Sequence, residues 1–523
     1  LFLGPGDAQL ELKAWEDSES DSESGSGSEN EARWAKSVVQ VLSPGDLVLI
    51  QAHLQPRLHA VQRCFSLSCF LQEQQPQLTP AAKVLQKWAE HRAATAAAEG
   101  PLQLLQDHLF CQGLGLSICS WQGRFPGSWQ AEVWSSQVQG QDLVLQVPLA
   151  RWDHEELYDP ATDCWRSGKT FCRHAGFTDG IELFDCKLFN ISAVEAREME
   201  PRQRMALEVA YDVMHRAGFR KSRLSSITGG IYVGAENWSE WNSLSTTSFS
   251  ATGRAASILA GRISFVLGLK GPAVALDTGD CSGLTAVHFG AKALQEDGFQ
   301  AVPEFCCCLG TSVLLSAQRW AARQAAGLLT AAGRCFTFDS EASGLVPGEA
   351  TAALMLRREA EDSKVLLEAL ALQHLGRSAS LTSGSSSAEQ ELLAEALAGA
   401  GIRPASLDLA ECSGRSTLLD DAAEVLALRK VYAARKEREG SPLQLAAVRP
   451  GNGALEHVPG LCALLRACWA AGHQTTLPVV HLRQLNPYIY AGGASADAMA
   501  SEMLRLRFPA AFCGVSASGF GTC

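Results

Sequence analysis

The turn at Asp280 and Cys281 carries the residue type best suited to covalent chemistry. It lies between AVALD at residues 273–277, which is strand-like, and SGLTAVHFGAKALQ at residues 282–295, which is helix-like. The backbone N–H groups at a helix N-terminus point into such a turn and favour negative charge. A cysteine placed there has a lowered pKa and reacts as a thiolate nucleophile. Cys281 is therefore a candidate nucleophile, although strand–glycine–helix junctions are also common in proteins without this chemistry.

The segments that must position this turn alternate between strand-like and helix-like patterns. PRQRMALEVAYDVMHRAGF at residues 201–219 is an amphipathic helix, for which Pro201 suits the first turn and Gly218 the end. Further strand-like segments are GGIYVGAEN at 229–237, LDLAEC at 407–412 and LQLAAV at 443–448. This alternation predicts an α/β fold, and the absence of a linker-like stretch within residues 115–523 predicts two packed halves.

Composition excludes several classes of protein. Hydrophobic residues make up 46% of the 523 residues, which is too much for a wholly disordered chain. The formal net charge is −12, whereas nucleic-acid-binding modules concentrate positive charge, so no nucleic-acid partner is expected. No apolar run reaches the roughly 18–20 residues of a membrane helix. We therefore expect no membrane span and an intracellular location, in a cytoplasmic or plastid-like compartment.

The 17 cysteines do not form a recognisable framework. The chain is too long for a small secreted disulfide scaffold, so buried thiols in a reducing compartment are expected. Cys306, Cys307 and Cys308 lie in an apolar stretch that predicts a buried strand. Neither Cys-x-x-Cys nor His-Glu-x-x-His spacing occurs, so no metal site is predicted.

The chain divides into three parts by composition. Residues 1–33 are predicted to be a disordered, acidic, serine-rich segment, because EDSESDSESGSGSENE at 16–31 has almost no apolar content. This segment is either a solvated spacer or a phosphorylatable tail. Residues 34–112 are predicted to form a small, mostly helical unit, and residues 113–523 form the main domain. The chain begins at Leu1, so we expect a fragment or a processed product of a longer protein.

Seven blocks of the main domain resemble the ketosynthase (β-ketoacyl synthase) domains of type I polyketide and fatty acid synthases, in the same order. They are GRFPG at 123–127, VPLARWDHEELYDP at 147–160, GFTDGIELFDCKLFNIS at 176–192, MEPRQRMALEVAYDVMHRAGF at 199–219, ATGRAASILAGRISFVLGLKGPAVALDT at 251–278, GRCFTFDSEASGLVPGE at 333–349 and GVSASGFG at 514–521.

This resemblance implies a thiolase-like fold, with five αβαβα layers in two related halves. It also implies decarboxylative Claisen condensation of acyl and malonyl thioesters, with no bound cofactor. In that reaction a cysteine carries the acyl group, and two histidines hydrogen-bond the malonyl thioester oxygen as enolate charge develops. The substrates would arrive as phosphopantetheine-linked groups on an acyl carrier protein. The family usually forms homodimers.

The nucleophile block departs from the family pattern D-T-A-C-S-S-S-L. Here it reads Asp277-Thr278-Gly279-Asp280-Cys281-Ser282-Gly283-Leu284, and both ends align without a gap. Asp280 therefore stands at the position of the family cysteine, and Cys281 follows it by one residue. Because one helical residue is a rotation of about 100°, we expect the Cys281 side chain to point away from the acyl pocket.

Both histidine positions are also substituted. In ECSGRS at 411–416, Ser413 takes the place of the first histidine. In VRPGNGALEHVPG at 448–460, Arg449 replaces a lysine and Ala454 replaces the second histidine. His457 follows three residues later and would share a helix face with position 454 if this segment were helical. The alternative is that His457 is a surface or helix-capping residue.

Two hypotheses follow. In the first, the domain is condensation-impaired and acts as a structural, dimerisation or acyl-carrier-binding partner, as a homodimer or in a heterodimer with an active ketosynthase. In the second, it is an active β-ketoacyl synthase that uses Cys281 as the nucleophile, with Ser413 and His457 assisting.

Overall fold

The chain consists of two units, Leu1–His108 and Leu109–Cys523. A computed structural model describes residues 114–127, 133–225, 227–241, 247–295, 302–358, 365–374, 376, 380, 383–432, 443–494, 496–506 and 512–519, together with three short strands nearer the N-terminus. In the first unit, β1 (Leu12–Ala14) pairs antiparallel with β2 (Leu54–Pro56). β1 falls inside the predicted disordered segment. The acidic run at 16–31 and most of the predicted helical unit at 34–112 lie outside the described residues.

The described part of the second unit alternates strands and helices. Its strands are β3 (Phe110–Cys111), β4 (Leu116–Arg124), β5 (Val144–Gln146), β6 (His174–Gly176), β7 (Gly229–Gly234), β8 (Ala273–Leu276), β9 (Phe305–Ser312), β10 (Ala350–Arg357), β11 (Leu366–Leu367), β12 (Leu370–Ala371), β13 (Leu407–Cys412), β14 (Gln444–Ala447) and β15 (Phe512–Val515). Its α-helices are α1 (Val133–Val138), α2 (Cys186–Phe189), α3 (Ala193–Glu198), α4 (Pro201–Arg216), α5 (Lys221–Leu224), α6 (Ser250–Arg254), α7 (Ala256–Leu267), α8 (Ser282–Gln295), α9 (Gln318–Ala325), α10 (Ser386–Ala400), α11 (Leu418–Val431), α12 (Arg449–Asn452), α13 (Pro459–His473) and α14 (Pro487–Ala491). Short 3-10 helices span Cys164–Ser167, Pro404–Ser406 and Ala496–Ala498.

The larger sheet has the strand order β11-β4-β10-β9-β7-β8. β7 runs parallel to β8 and β9, whereas β10 runs antiparallel to both β4 and β9. β9 confirms the predicted buried strand, because all eight of its residues are buried. Its side chains alternate between two cores, with Cys306 and Cys308 in one and Cys307 in the other. Burial raises the pKa of Cys306 to about 12, so this thiol is a small hydrophobic side chain rather than a nucleophile.

The smaller sheet has the order β14-β13-β15, and its strands are all parallel. Its central strand, β13, is buried along its whole length. Its sequence LDLAEC carries two acids, Asp408 and Glu411, and both are buried with the apolar residues of the strand.

Five layers result from the packing of helices on these sheets. α4 and α7 cover the outer face of the larger sheet. α8 and α13 contact each other and form the middle layer, with α8 against β7 and β9 and α13 against β13 and β15. α10 and α11 pack together, and both contribute to the core on the outer side of the smaller sheet. The predicted five-layered αβαβα architecture is therefore confirmed.

The helix and strand predictions around the nucleophile block are confirmed as well. α8 begins at Ser282 and ends at Gln295, as its sequence pattern indicates. α4 has Pro201 in its first turn and ends at Arg216, just before Gly218. None of the helices in the described ranges has the length and apolar composition needed to cross a bilayer.

Candidate functional site

The junction between β8 and α8 is a tight turn at the edge of the middle layer. Gly279 has a φ of +63°, in the left-handed region that favours glycine. The Ser282 hydroxyl closes the turn, since it accepts from the Thr278 N–H at 2.9 Å and donates to the Gly279 carbonyl at 2.6 Å. Gly234 at the end of β7 lies so close that an added Cβ would be 2.3 Å from the Ser282 carbonyl oxygen. The junction thus depends on glycine at two positions.

The side chain of Asp280 lines a cavity at this junction, which we call the junction cavity. It encloses about 630 Å³ including its open mouth. Its polar lining comes from both halves of the domain and includes Asp280, Arg323, Arg415, Arg449, Glu456 and Ser518.

Asp280 and Arg449 form an ion pair in this cavity. Arg449 Nη2 donates to Asp280 Oδ2 at 2.8 Å. The Arg449 side chain is 1% exposed, whereas that of Asp280 is 33% exposed. A guanidinium so buried is costly without a countercharge, so the carboxylate at position 280 compensates it. Asp280 therefore lines the cavity and forms an ion pair with Arg449 there.

Unlike Asp280, Cys281 does not line the junction cavity. Its residue exposure is 2%, and its Sγ donates to the Ala517 carbonyl oxygen at 3.3 Å. Within the described residues, Cys281 is not part of the lining of the junction cavity. That Cys281 points away from the acyl pocket of the family stays a prediction.

Ala454 lies in the wall of the junction cavity, and Ser413 lies just behind that wall. Ala454 lines the cavity, and its N–H donates to the Val346 carbonyl at 2.7 Å. Ser413 is buried, and its hydroxyl oxygen is 3.2 Å from the hydroxyl of Ser518, which lines the cavity. The structure thus brings Asp280, Arg449 and Ala454 together around the junction cavity, with Ser413 next to it.

His457 lies between two helices, so the condition under which it would share a helix face with Ala454 is not met. α12 ends at Asn452 and α13 begins at Pro459, and Glu456 between them has a φ of +49°, which is incompatible with a right-handed helix. His457 therefore does not share a helix face with Ala454. It is not a surface residue either, since it is only 7% exposed.

The His457 ring contacts the aspartate that follows β8 instead. Its Nε2 lies 3.5 Å from Asp277 Oδ1, and this contact holds the pKa of Asp277 well below its usual range. The His457 carbonyl also accepts from the N–H of Gly283 at 2.9 Å, in the first turn of α8. His457 thus contacts both the end of β8 and the start of α8 outside the junction cavity. No histidine among the described residues lines this cavity.

Sequence reasoning missed two arginines of the cavity wall. Arg415 holds the loop after β15, because its Nε donates to Ser518 Oγ at 3.1 Å and its Nη2 to the Gly519 carbonyl at 2.7 Å. Arg323 of α9 is paired with Glu456, which raises the pKa of Arg323. Arg415 could have been found, because it lies in the same block as Ser413, ECSGRS at 411–416. Arg323 lies outside the segments that resemble the family, so no sequence signal pointed to it.

Comparison with known proteins identifies the family. Residues 116–362 match the family model for the β-ketoacyl synthase N-terminal domain, and residues 365–483 match that for the C-terminal domain. The chain belongs to the β-ketoacyl synthase family. This ketosynthase domain is 33% identical over 382 residues to a phenolphthiocerol/phthiocerol polyketide synthase of Mycobacterium tuberculosis, a match over 70% of this chain and 24% of that protein.

Other relatives and solved structures agree. A PKS-NRPS hybrid synthetase of Aspergillus candidus is 30% identical over 395 residues, which are 72% of this chain and 15% of that protein. The ketosynthase domain therefore spans a quarter or less of the length of these two relatives. The oxazolomycin ketosynthase domain of Streptomyces albus has a TM-score of 0.69 and 27% identity, over 78% of this chain and 73% of that one. The module 6 ketosynthase of the Bacillus subtilis bacillaene synthase, as a C167S mutant, has a TM-score of 0.64 and 25% identity, over 77% and 66% of the chains. The predicted thiolase-like fold is thereby confirmed.

Proposed function

We propose that this ketosynthase domain does not catalyse condensation and serves as an architectural, dimerisation or carrier-binding partner. The observation that carries the proposal is the Asp280–Arg449 ion pair at the position where the family resemblance expects a thiol. The nearby thiol of Cys281 is buried against a backbone carbonyl outside the junction cavity.

The chemistry of the substituted groups supports this proposal. A carboxylate is a poor acyl carrier, because the mixed anhydride it would form hydrolyses readily. The negative charge of Asp280 would also repel the carboxylate of a malonyl group. Ala454 has no hydrogen-bond donor in its side chain, and Ser413 cannot act as a cationic acid near neutral pH. Losing one oriented donor typically costs about 10²–10³ in rate, and losing the nucleophile removes the covalent pathway.

The retained function would be recognition rather than catalysis. The relatives are polyketide synthases, so the expected partner is an acyl carrier protein whose phosphopantetheine arm carries acyl or malonyl groups. The expected assembly is a homodimer, or a heterodimer with an active ketosynthase. The intact five-layered fold supports such a role, because its packed cores surround a catalytic centre whose reacting groups are replaced.

The test is acyl loading followed by mass spectrometry. The chain is incubated with an acyl thioester on a carrier protein, and its intact mass and tryptic map are measured. We expect no acyl adduct on any residue and no release of CO₂ from malonyl carrier protein. The matched control is Cys281→Ala, which removes the only thiol of the turn and should behave like the unmodified chain.

A different result would contradict this proposal. Stoichiometric acylation that is abolished in Cys281→Ala, together with decarboxylation of malonyl carrier protein, would establish the active-synthase hypothesis. Saturable binding of carrier protein without acylation, measured by isothermal titration, would support the carrier-binding role over a purely architectural one.

A further inference from the structure

A second polar cavity lies beside the junction cavity, and a cluster of three metal-ligating side chains meets at its wall. This cavity encloses about 410 Å³, and Glu236 and Glu456 both line it. One ligand atom from each of Glu236, Glu456 and His457 lies within 4.8 Å of the other two. Two carboxylates and an imidazole form a donor set that suits divalent transition-metal ions.

We propose that Glu236, Glu456 and His457 bind one divalent transition-metal ion. The proposal is independent of whether the domain catalyses condensation. Three protein ligands leave a coordination position for water. Glu236 follows β7, whereas Glu456 and His457 belong to the loop before α13, so the ion would join elements of the two halves.

The surroundings of the His457 imidazole favour its binding to a metal ion. The His457 side chain is 9% exposed, and its Nε2 is near Asp277. Its Nδ1 is buried and has no hydrogen-bond partner among the described residues. A buried ring nitrogen without a partner is costly, and a bound cation would use its lone pair. Metal-binding histidines commonly contact a carboxylate through their other nitrogen, which is the position that Asp277 occupies.

Each carboxylate likewise has an orienting partner on one oxygen. Arg319 pairs with Oε1 of Glu236, and Arg323 pairs with Oε1 of Glu456. The second oxygen of Glu456 accepts from the Ser312 hydroxyl at the long distance of 3.4 Å. Each guanidinium therefore fixes its carboxylate while leaving the other oxygen for a cation, as hydrogen-bonded outer partners do in metal sites.

The charges around the cluster favour a cation despite the two arginines. Asp277, Glu236 and Glu456 supply three carboxylates against the guanidiniums of Arg319 and Arg323. These five groups together carry one net negative charge before a cation binds.

Sequence spacing gave no sign of this site. Its ligands come from two segments that are far apart in the chain, so no short motif such as Cys-x-x-Cys marks them. Only the packing of the loop before α13 against the end of β7 brings them together.

The test is titration of the full chain with Co²⁺, followed by visible absorption. We expect one tightly bound ion per chain, with ligand-field bands and no thiolate charge-transfer band, and a rise in the midpoint of thermal unfolding. Glu236→Gln and His457→Ala should each weaken binding at least about 30-fold and abolish the rise in midpoint. Asp277→Asn should weaken binding about 10–100-fold, as expected for a partner that orients a ligand.

The matched control is Glu240→Gln. Glu240 lines the same cavity and contacts Arg319 at 3.5 Å, but it is not a member of the cluster. This variant removes the same charge and should bind Co²⁺ within about threefold of the unmodified chain. Absence of saturable binding by the unmodified chain would overturn the proposal, whatever the variants do. A thiolate charge-transfer band, or equal binding by His457→Ala, would also overturn it.

Discussion

At the residue scale, Asp280 sets the electrostatics of the junction cavity. Its carboxylate compensates Arg449, which is almost completely buried. Replacing a nucleophilic cysteine with an acid would ordinarily place an unpaired charge at a helix N-terminus. Here the guanidinium of Arg449 pairs with the Asp280 carboxylate, so the charge is not left unpaired.

This pairing predicts coupled stability effects. Asp280→Ala leaves the guanidinium of Arg449 without its countercharge and should lower the free energy of unfolding by about 1–3 kcal/mol. Arg449→Met removes the buried charge itself, so Asp280→Ala should cost much less in that background. Urea denaturation of the two single variants and the double variant measures the coupling, which should be about 0.5–3 kcal/mol.

An exposed ion pair provides the control for this cycle. Arg173 and Glu155 are in contact, but their side chains are 34% and 67% exposed. Exposed pairs contribute about 0–1 kcal/mol, so Glu155→Ala should leave the unfolding midpoint nearly unchanged. Additive losses at positions 280 and 449 would contradict the role assigned to the ion pair.

At the scale of elements, the junction depends on how closely β7 approaches the start of α8. Gly234 permits this approach, and Gly261 in α7 offers a contrast because its added Cβ would have no neighbour within 4 Å. Glycine in β7 is therefore a packing requirement, whereas glycine in α7 carries only the entropic cost of a flexible residue in a helix.

Gly234→Ala should displace the first turn of α8 and destabilise the domain. The expected loss is about 1–3 kcal/mol, since an overpacked side chain forces a backbone shift. Gly261→Ala should instead stabilise the domain by about 0.5–1 kcal/mol. Thermal unfolding of both variants measures whether their stability changes have opposite signs. An unchanged stability in Gly234→Ala would show that the backbone moves apart easily at this close approach.

The packing of α10 against α11 places one acid in an unfavourable position. Burial, and after it the nearby Glu424 carboxylate, raise the pKa of Glu389 to about 8 from an ordinary value of 4.5. Oε2 of Glu389 is buried and has no hydrogen-bond partner among the described residues. The folded chain therefore holds a proton on Glu389 that the unfolded chain releases above its ordinary pKa.

This difference predicts that stability falls as pH rises. Between about pH 4.5 and 8 the folded state binds the Glu389 proton more tightly, so this contribution is complete below the unfolded pKa and is lost as pH rises through 8. One such proton gives a slope of at most about 1.4 kcal/mol per pH unit. Glu389→Gln should remove this dependence, which urea denaturation from about pH 5 to 9 would reveal. A parallel pH profile for the two proteins would contradict the assigned protonation.

At the scale of the whole molecule, a buried network connects the middle layer to the smaller sheet. Arg466 of α13 donates from Nε to Glu411 Oε1 of β13 at 3.0 Å, and from Nη1 to Gln137 Oε1 of α1 at 2.7 Å. Gln137 in turn donates to Asn452 of α12 at 2.9 Å. This network joins α1, near the start of the domain sequence, to β13, α12 and α13 in its second half.

Breaking this network from one side should be costly. Arg466→Leu leaves the fully buried Glu411 carboxylate without its countercharge, and such losses typically amount to about 3–5 kcal/mol. Glu411→Gln combined with Arg466→Leu should recover part of that loss, because no charge remains buried. Chemical denaturation of both variants tests this order, and a double variant less stable than Arg466→Leu would contradict it.

Much of the fold was accessible from local sequence patterns. The helices at 201–216 and 282–295 and the strands at 229–234 and 407–412 follow from apolar spacing, from proline and from glycine. His457 shows where this reasoning fails, because its placement depended on a helix that ends at Asn452. The left-handed backbone of Glu456 and the contact with Asp277 arise from packing between layers, which no local pattern reports.

The sequence by itself predicted the family and the five-layered architecture, because these depend on ordered blocks of residues. That Asp280, Ser413 and Ala454 replace the family's reacting groups stays a prediction. The tertiary structure alone decided that Asp280 faces the cavity and pairs with Arg449, that Cys281 is buried against Ala517, and that Glu236 meets Glu456 and His457. The physical reason is the distance along the chain between the residues that make contact. Local patterns encode helices, strands and turns, whereas the partner of a buried charge is chosen by contacts between residues far apart in the chain.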